Sequence, residues 1–320
     1  MDHLTVIRKP YVDYSFPRTT SIVVKLEKWN DIVDLNQQFL SQFIFRGQSD
    51  EKWSLSTSLE RFVSGCHYDA PLIQKTLIYE AEMLKDFRVK YPLFKHAADI
   101  NIDSPVECLT LMQHYGCPTR LLDFTHSIFV ALFMALDGNY KCDSVIWAIK
   151  KFSIKLPHIN KLLHSKDVFS APTSDIIKEI NNSANKHIGV EYVSNSPSEI
   201  LPIFPTWLNE RSSIQQGCFL MPTSIQKPFI DVFNEYFKIE DSEIILDIEN
   251  LKARCQNNVF KQDAKNLTMI KFIIPSKLKW ELSQLLRQMN ITAETLYPGF
   301  EGMVKSLAYL RLREPNYYSE

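Results

Sequence analysis

Four short polar clusters combine a glycine with charged or amide side chains. They are Phe45-Arg46-Gly47-Gln48, the run HYGCPTRLLD from His114 to Asp123, the stretch Arg211 to Gly217 with Gln215 and Gln216, and Gly299-Phe300-Glu301-Gly302. Guanidinium groups, amides and a carboxylate brought together can hold a phosphate-bearing small molecule. The chain has only 8 glycines, where ordinary usage would give about 22. So few are expected where a positive φ or a close backbone approach requires them. Their spacing forms neither G-x-G-x-x-G nor G-x-x-x-x-G-K-[ST]. The dinucleotide fingerprint and the P-loop both need clustered glycines, which sets aside Rossmann dehydrogenases and P-loop NTPases.

Other chemistries have weaker footing. Cys108, His114 and Cys117 lack a fourth partner at zinc spacing, so no metal is expected. A Cys–His hydrolase built on Cys117 or Cys218 has no local signature. The six cysteines form no C-x-x-C and read as reduced thiols of a cytoplasmic protein. The longest apolar stretch, Ile128 to Leu136, is nine residues, and a membrane span needs about 18 or more. The N-terminus has no apolar segment of the signal-peptide kind. With 36 Lys and Arg against 37 Asp and Glu, the net charge of -1 excludes a strongly basic nucleic-acid binder at the level of the whole chain. At 45% hydrophobic, the 320 residues can build a sizeable core.

The elements that must position the clusters follow from periodicity. Residues 1–27 read as a lead-in and 28–320 as a single domain with a peripheral polar region at about 150–198. Trp29, Ile32, Leu35 and Phe39 have helical spacing, and Phe43 to Gly47 reads as a short strand. A helix follows Pro71 and ends before Pro92. Ser104-Pro105-Val106-Glu107 predicts a capping box and a helix through Gln113. Another helix is expected from Thr125 to Leu136, and a buried strand over Ser144–Ile149. Later strands are expected at Ile200–Phe204, Cys218–Met221, Ile244–Ile248 and Met269–Ile274, then helices at Ser276–Met289 and Gly302–Arg313. The irregular order predicts an α+β fold, with mixed, mostly antiparallel sheets flanked by helices. Pro118 disfavours helical geometry at Cys117, so the chain should break near Gly116. The segment Gln113–Thr125 is then expected to join two helices, bury Leu121 and Leu122, and line one cleft with Arg46.

The stretch QHYGCPTRLLDFT (Gln113 to Thr125), Phe45-Arg46-Gly47 with Trp53, Leu55, Leu59 and Arg61, Arg211 to Phe219, and Leu296 to Gly302 together resemble the FRG-domain family. The resemblance spans roughly Phe43 to Leu310, with the middle region unsupported. Phe124 stands where the family usually has tryptophan, Ile128 where proline is common, and Gly299 and Glu301 where aspartates are common. The resemblance implies a bacterial or phage protein. Some relatives are associated with toxin–antitoxin and anti-phage contexts, and part of the family is related to NAD-dependent ADP-ribosyltransferases. It therefore implies an ADP-ribosyltransferase-like core with helical additions, and NAD as co-substrate.

On this reading Arg46, with Gly47 and Gln48, meets NAD phosphate or ribose. Arg120 is a second anion clamp or a partner of Asp123. His114, Tyr115, Thr119 and Arg211 also bind, and Gln216 or Gln215 offers amide bonds. Glu301 is the catalytic carboxylate and Asp123 the next candidate. Structural alternatives stand beside each. Arg46 could pair with a core carboxylate, and Arg120 with Asp123, three residues on. His114 could be a satisfied core histidine, Pro118-Thr119 a cap or turn, and Glu301 an acid at a helix start favoured by the macrodipole.

The leading expectation is a mono-ADP-ribosyltransferase toxin acting on nucleic acid, RNA favoured, or on protein, with an antitoxin partner and no membrane. Arg311, Arg313, Lys151, Lys155 and exposed aromatics support a nucleic-acid target. The competing readings are a noncatalytic FRG module that binds a nucleotide or partner and, third, a nuclease or other hydrolase, which metal dependence would reveal.

Overall fold

The computed structural model describes residues 20–65, 72–94, 100–138, 140–154, 169, 173–189, 198–204, 210–239, 243–256 and 267–310. The strands are β1 Thr20–Lys25, β2 Phe43–Gln48, β3 Leu122–Thr125, β4 Ser144–Lys150, β5 Ile200–Ile203, β6 Gly217–Pro222, β7 Glu243–Leu246 and β8 Leu267–Ile274. The helices are α1 Trp29–Gln38, α2 Ser58–Ser64, α3 Leu72–Lys90, α4 Pro105–His114, α5 Ile128–Leu136, α6 Ser174–Asn185, α7 Glu210–Ile214, α8 Phe229–Phe237, α9 Ile248–Gln256, α10 Lys279–Gln288, α11 Ala293–Leu296 and α12 Phe300–Leu310.

All eight strands form one sheet in the order β5-β6-β3-β2-β4-β8-β1-β7. It is mostly antiparallel; only β1 runs parallel to its neighbours β8 and β7. Side chains alternate between faces along a strand, and the core divides accordingly. Ile44, Val145, Trp147 and Ile149 join one hydrophobic cluster, with residues of α4, α6 and α8. Phe43, Phe45, Ile146 and Ala148 join the other, with residues of α1, α5, α9 and α10. The same alternation puts Arg46 on the face of Ile44 and Gly47 on the face of Phe45.

The structure departs from the sequence expectations in several places. The expected lead-in over 1–27 ends in β1, whose Ile22 and Val24 are fully buried; residues 1–19 lie outside the described residues, as do Lys155, Arg311 and Arg313. The segment after Gly116 joins a helix to a strand, not two helices. Leu122–Thr125 is β3, and the next helix starts at Ile128, where Ser127 caps it by accepting from Val130 N. The break near Gly116 is present, with φ +84, and Leu121 and Leu122 are buried. Ser104 does not form a capping box. Glu107 accepts from Asn101 N, and Asn185 Oδ1 accepts from Val106 N at 2.9 Å. Asn185 belongs to α6, so the polar region contributes structure: Ile180 and Ala184 of α6 are core residues.

Candidate functional site

β2 makes six residue pairs with β4 but only Phe45–Thr125 with β3. Beyond that pair β2 and β3 part, and a cavity of ≈ 340 Å³ opens along the seam. Arg46 spans it. Its Nη1 donates to the backbone O of Asp123 at 2.9 Å and lies 3.8 Å from Asp123 Oδ2. Its side chain is 16% exposed, and its buried Nε has no hydrogen-bond partner among the described residues. Burial pulls the Arg46 pKa down, Asp123 opposes this, and Arg61 adds to the lowering. An unmade bond on a buried guanidinium is costly, so the site is short of an acceptor beside Arg46.

The walls come from α4, α5 and α7. At the end of α4, Gln113 Nε2 donates to Asp123 Oδ1 at 2.8 Å, and His114 lines the cavity beside it. Burial holds His114 below its usual pKa, and the charge of Arg211 adds to this, against an opposite pull from Glu301. From α7 comes Arg211, whose guanidinium lies 4.6 Å from the ring centroid of Tyr297 and whose Nη1 is 3.9 Å from Glu301 Oε2. Gln215 ties this wall down. Its Nε2 donates to Leu296 O at 2.8 Å, and its backbone O accepts from Thr125 Oγ1 at 2.6 Å.

Two glycines of the polar clusters serve packing. A Cβ on Gly47 would stand 1.9 Å from Ala131 O and 2.6 Å from Ala135 N, because α5 crosses β2 against the glycine. A Cβ on Gly302 would stand 1.8 Å from Tyr297 O, which lets α12 lie against the α11 turn.

The seam thus brings together Arg46, Gly47, His114, Asp123 and Arg211. Glu301 stands outside the cavity lining, 56% exposed, with Lys305 Nζ donating to it at 2.7 Å. That hydrogen bond holds its pKa below the ordinary carboxylate value. Five expected binding residues lie elsewhere. Arg120 is 1% exposed and makes a two-pronged ion pair with Glu80, while its Nη1 donates to His187 O at 2.9 Å; it is a core residue and does not pair with Asp123. Thr119 is fully buried, and its backbone O accepts from Leu59 N and Ser58 Oγ. Gln48 is buried between Ser54 O and the Trp147 indole, from which it accepts at 2.5 Å. Tyr115 is 65% exposed and turned toward α3. Gln216 is exposed with φ +49, and its neighbour Gln215 lines the cavity instead.

Sequence reasoning gave no role to Gln113, Ser212 or Tyr297. Gln113 and Tyr297 stand inside quoted motifs, next to His114 and before Pro298, so the motifs were the available signal.

Among the described residues no three His, Cys, Asp or Glu side chains converge as metal ligands. Burial pushes the Cys218 thiol up to about 12, which opposes a thiolate nucleophile. A larger cavity of ≈ 550 Å³ lies across α5 among Phe133, Leu136, Leu286 and Ile291, and it contains none of the expected residues. No helix among the described residues is long and apolar enough to cross a membrane.

Among known protein families, residues 41–144 fit the family model of the FRG domain. That span holds Arg46, His114 and Asp123 and stops short of Arg211 and Glu301. No curated protein and no solved structure matches the chain.

Proposed function

The chain carries an FRG domain, and from that premise we propose that it is an NAD-consuming mono-ADP-ribosyltransferase acting at the β2–β3 seam. The observation that carries the reading is Arg46, a seam guanidinium with a buried, unpartnered Nε, facing a cavity that also holds Arg211 and His114. Two guanidinium groups suit a pyrophosphate, each able to present two parallel donors. A cavity of ≈ 340 Å³ lies within the ordinary size range of small-ligand pockets, and on this reading it takes one nucleotide half of NAD.

In the proposed reaction the C1′–N bond to nicotinamide breaks, and its electron pair leaves on the ring nitrogen. A target nucleophile captures the ribosyl cation and gives up its proton to a carboxylate or to solvent. Asp123 is the carboxylate within the cavity and the first choice for stabilising the cation. Glu301, 3.9 Å from Arg211, stands at the edge where an incoming target would arrive. We assign the biological setting by the family resemblance: a toxin of an anti-phage system, held by a protein antitoxin, with RNA the favoured target.

A second reading, a noncatalytic nucleotide- or partner-binding module, is favoured by the exposure of Glu301 and its tie to Lys305. Nicotinamide release from NAD by the purified chain separates the two. The transferase reading expects release that Asp123→Asn or Glu301→Gln lowers by about 100-fold, and transfer of label from NAD to the RNA fraction of a lysate. No release, with or without lysate, leaves the module.

A further inference from the structure

A second built pocket, of ≈ 320 Å³, shares no lining residue with the seam cavity. It lies where the turn after β2 meets β1, β8 and α8. Trp53 stands at its edge, 54% exposed. The turn that holds it is braced: Glu51 N donates to Asp143 O at 2.9 Å, Trp53 N to Asp50 O, and Gln48 Nε2 to Ser54 O. An exposed indole on a fixed turn presents a flat apolar face that keeps its orientation.

The polar groups around it have a pattern. Ser21 of β1 is 2% exposed, and its Oγ has no hydrogen-bond partner among the described residues. A hydroxyl this deep normally finds one. Asn234 of α8 lines the same space and brings both an amide donor and an amide acceptor. Among the described lining residues Lys52 and Lys271 carry ammonium groups and Glu51 a carboxylate. Lys271 lies over Trp147, its Nζ 4.7 Å from the ring centroid, so the stacking face on offer is that of Trp53.

A flat ring, an amide that can pair with a heterocycle edge, a buried hydroxyl and ammonium groups at the rim match one ligand chemistry. We propose that this pocket binds a nucleotide, its base on Trp53 and Asn234 and its phosphate toward Lys52 and Lys271. The inference does not depend on the transferase reading. The ligand could be a free nucleotide or one unit of a single strand. Placement gives the strand a physical basis: Arg46, Trp147 and Lys271 stand in register across β2, β4 and β8. Arg46 and Lys271 are therefore two strand spacings apart, roughly 10 Å, a span that two or three nucleotides cover.

The test uses the full chain, the four nucleoside monophosphates by calorimetry, and a fluorescein-labelled eight-nucleotide uridine strand by anisotropy. Trp53→Ala should weaken binding about ten-fold or more, as expected for loss of one stacked base, and Asn234→Leu should weaken it too. Trp53→Phe should retain most of the affinity, and melting temperatures should stay near that of the parent chain. Binding of monophosphates identifies a free-nucleotide site; binding of the strand alone identifies a site for single-stranded nucleic acid. Failure of both probes at about millimolar concentration overturns the proposal. So does binding that Trp53→Ala leaves unchanged, or that Arg46→Lys abolishes while Trp53→Ala does not. Nicotinamide release without nucleic acid is read separately, so the two readings fail independently.

Discussion

Replacing Arg120 separates a ligand clamp from a core ion pair. The side chain is 1% exposed, Glu80 is 3% exposed, and the guanidinium also bonds His187 O and, at 3.4 Å, Pro222 O. Arg120→Met strands the Glu80 carboxylate in the core and takes the donor from two carbonyls. Removing one partner of a buried pair costs roughly 3–5 kcal/mol, a large share of a stability of about 5–15 kcal/mol. Melting should fall by on the order of 10 °C. The double variant Arg120→Met with Glu80→Leu removes the stranded charge as well, and apolar replacement of such pairs is often neutral or favourable. It should therefore recover most of the loss, short of about 1 kcal/mol for each carbonyl left without its donor. The assay is urea unfolding of the parent, both single variants and the double variant, with NAD affinity measured on each folded protein. A double variant as unstable as Arg120→Met refutes the ion-pair argument. One that folds well but binds NAD ten-fold more weakly shows that Arg120 serves the ligand after all.

Three further outcomes are expected. Gly47→Ala must push α5 back by more than an ångström from Ala131 O; it should cost about 1–3 kcal/mol in urea unfolding and distort the cavity, and a change within about 0.5 kcal/mol would contradict the close approach. Because burial lowers the folded pKa of His114 below the unfolded 6.5, the unfolded chain takes the proton first. Its contribution to stability is therefore complete above pH 6.5 and declines as pH falls toward the lower folded value, while anion affinity rises as the imidazole charges; His114→Gln should flatten both pH profiles. Arg46→Lys keeps the charge but cannot both cross the seam and fork onto phosphate, so NAD should bind about 1–3 kcal/mol more weakly with melting little changed; unaltered affinity in calorimetry would make Arg46 a strut only.

The sequence was most legible where one strand carries its own signal. β4 and β8 are near-continuous apolar runs buried on both faces, and β2 opens with Phe43-Ile44-Phe45, so their existence is visible without tertiary context. β1 has the β-branched run Ile22-Val23-Val24, but its partners lie more than 200 residues away and nothing local calls for them. β3 is four residues long, too short for alternation to be distinctive, and its absence from the sequence reading misplaced Arg120. Three residues from Arg120 to Asp123 suggest one helical face. The chain there runs into a strand, where that spacing puts the two apart, and the true partner Glu80 comes from α3. Arg46, His114, Asp123 and Arg211, which stand out because their motifs are short and polar, line one cavity. The same motifs also contain Gln48 and Thr119, whose contacts hold the neighbouring turns, and nothing in residue type alone separates the two kinds.

The parallel placement of β1 between β8 and β7 has a consequence for biosynthesis. The first described strand hydrogen-bonds only to Glu243–Leu246 and Leu267–Ile274. At translation rates of about 5–20 residues per second, roughly ten to fifty seconds separate the emergence of β1 from that of β8. Until β8 emerges, β4 lacks one neighbour, β1 has at most β7 beside it, and the Leu296 carbonyl that anchors Gln215 has not been made. Pairings this distant in sequence are slow to form. A chain halted before Leu296 therefore has no finished seam cavity, and whatever activity the seam supports begins only after that residue has been made. Ribosome-bound chains halted before residue 267 should leave the amides of β1 exchanging freely with solvent.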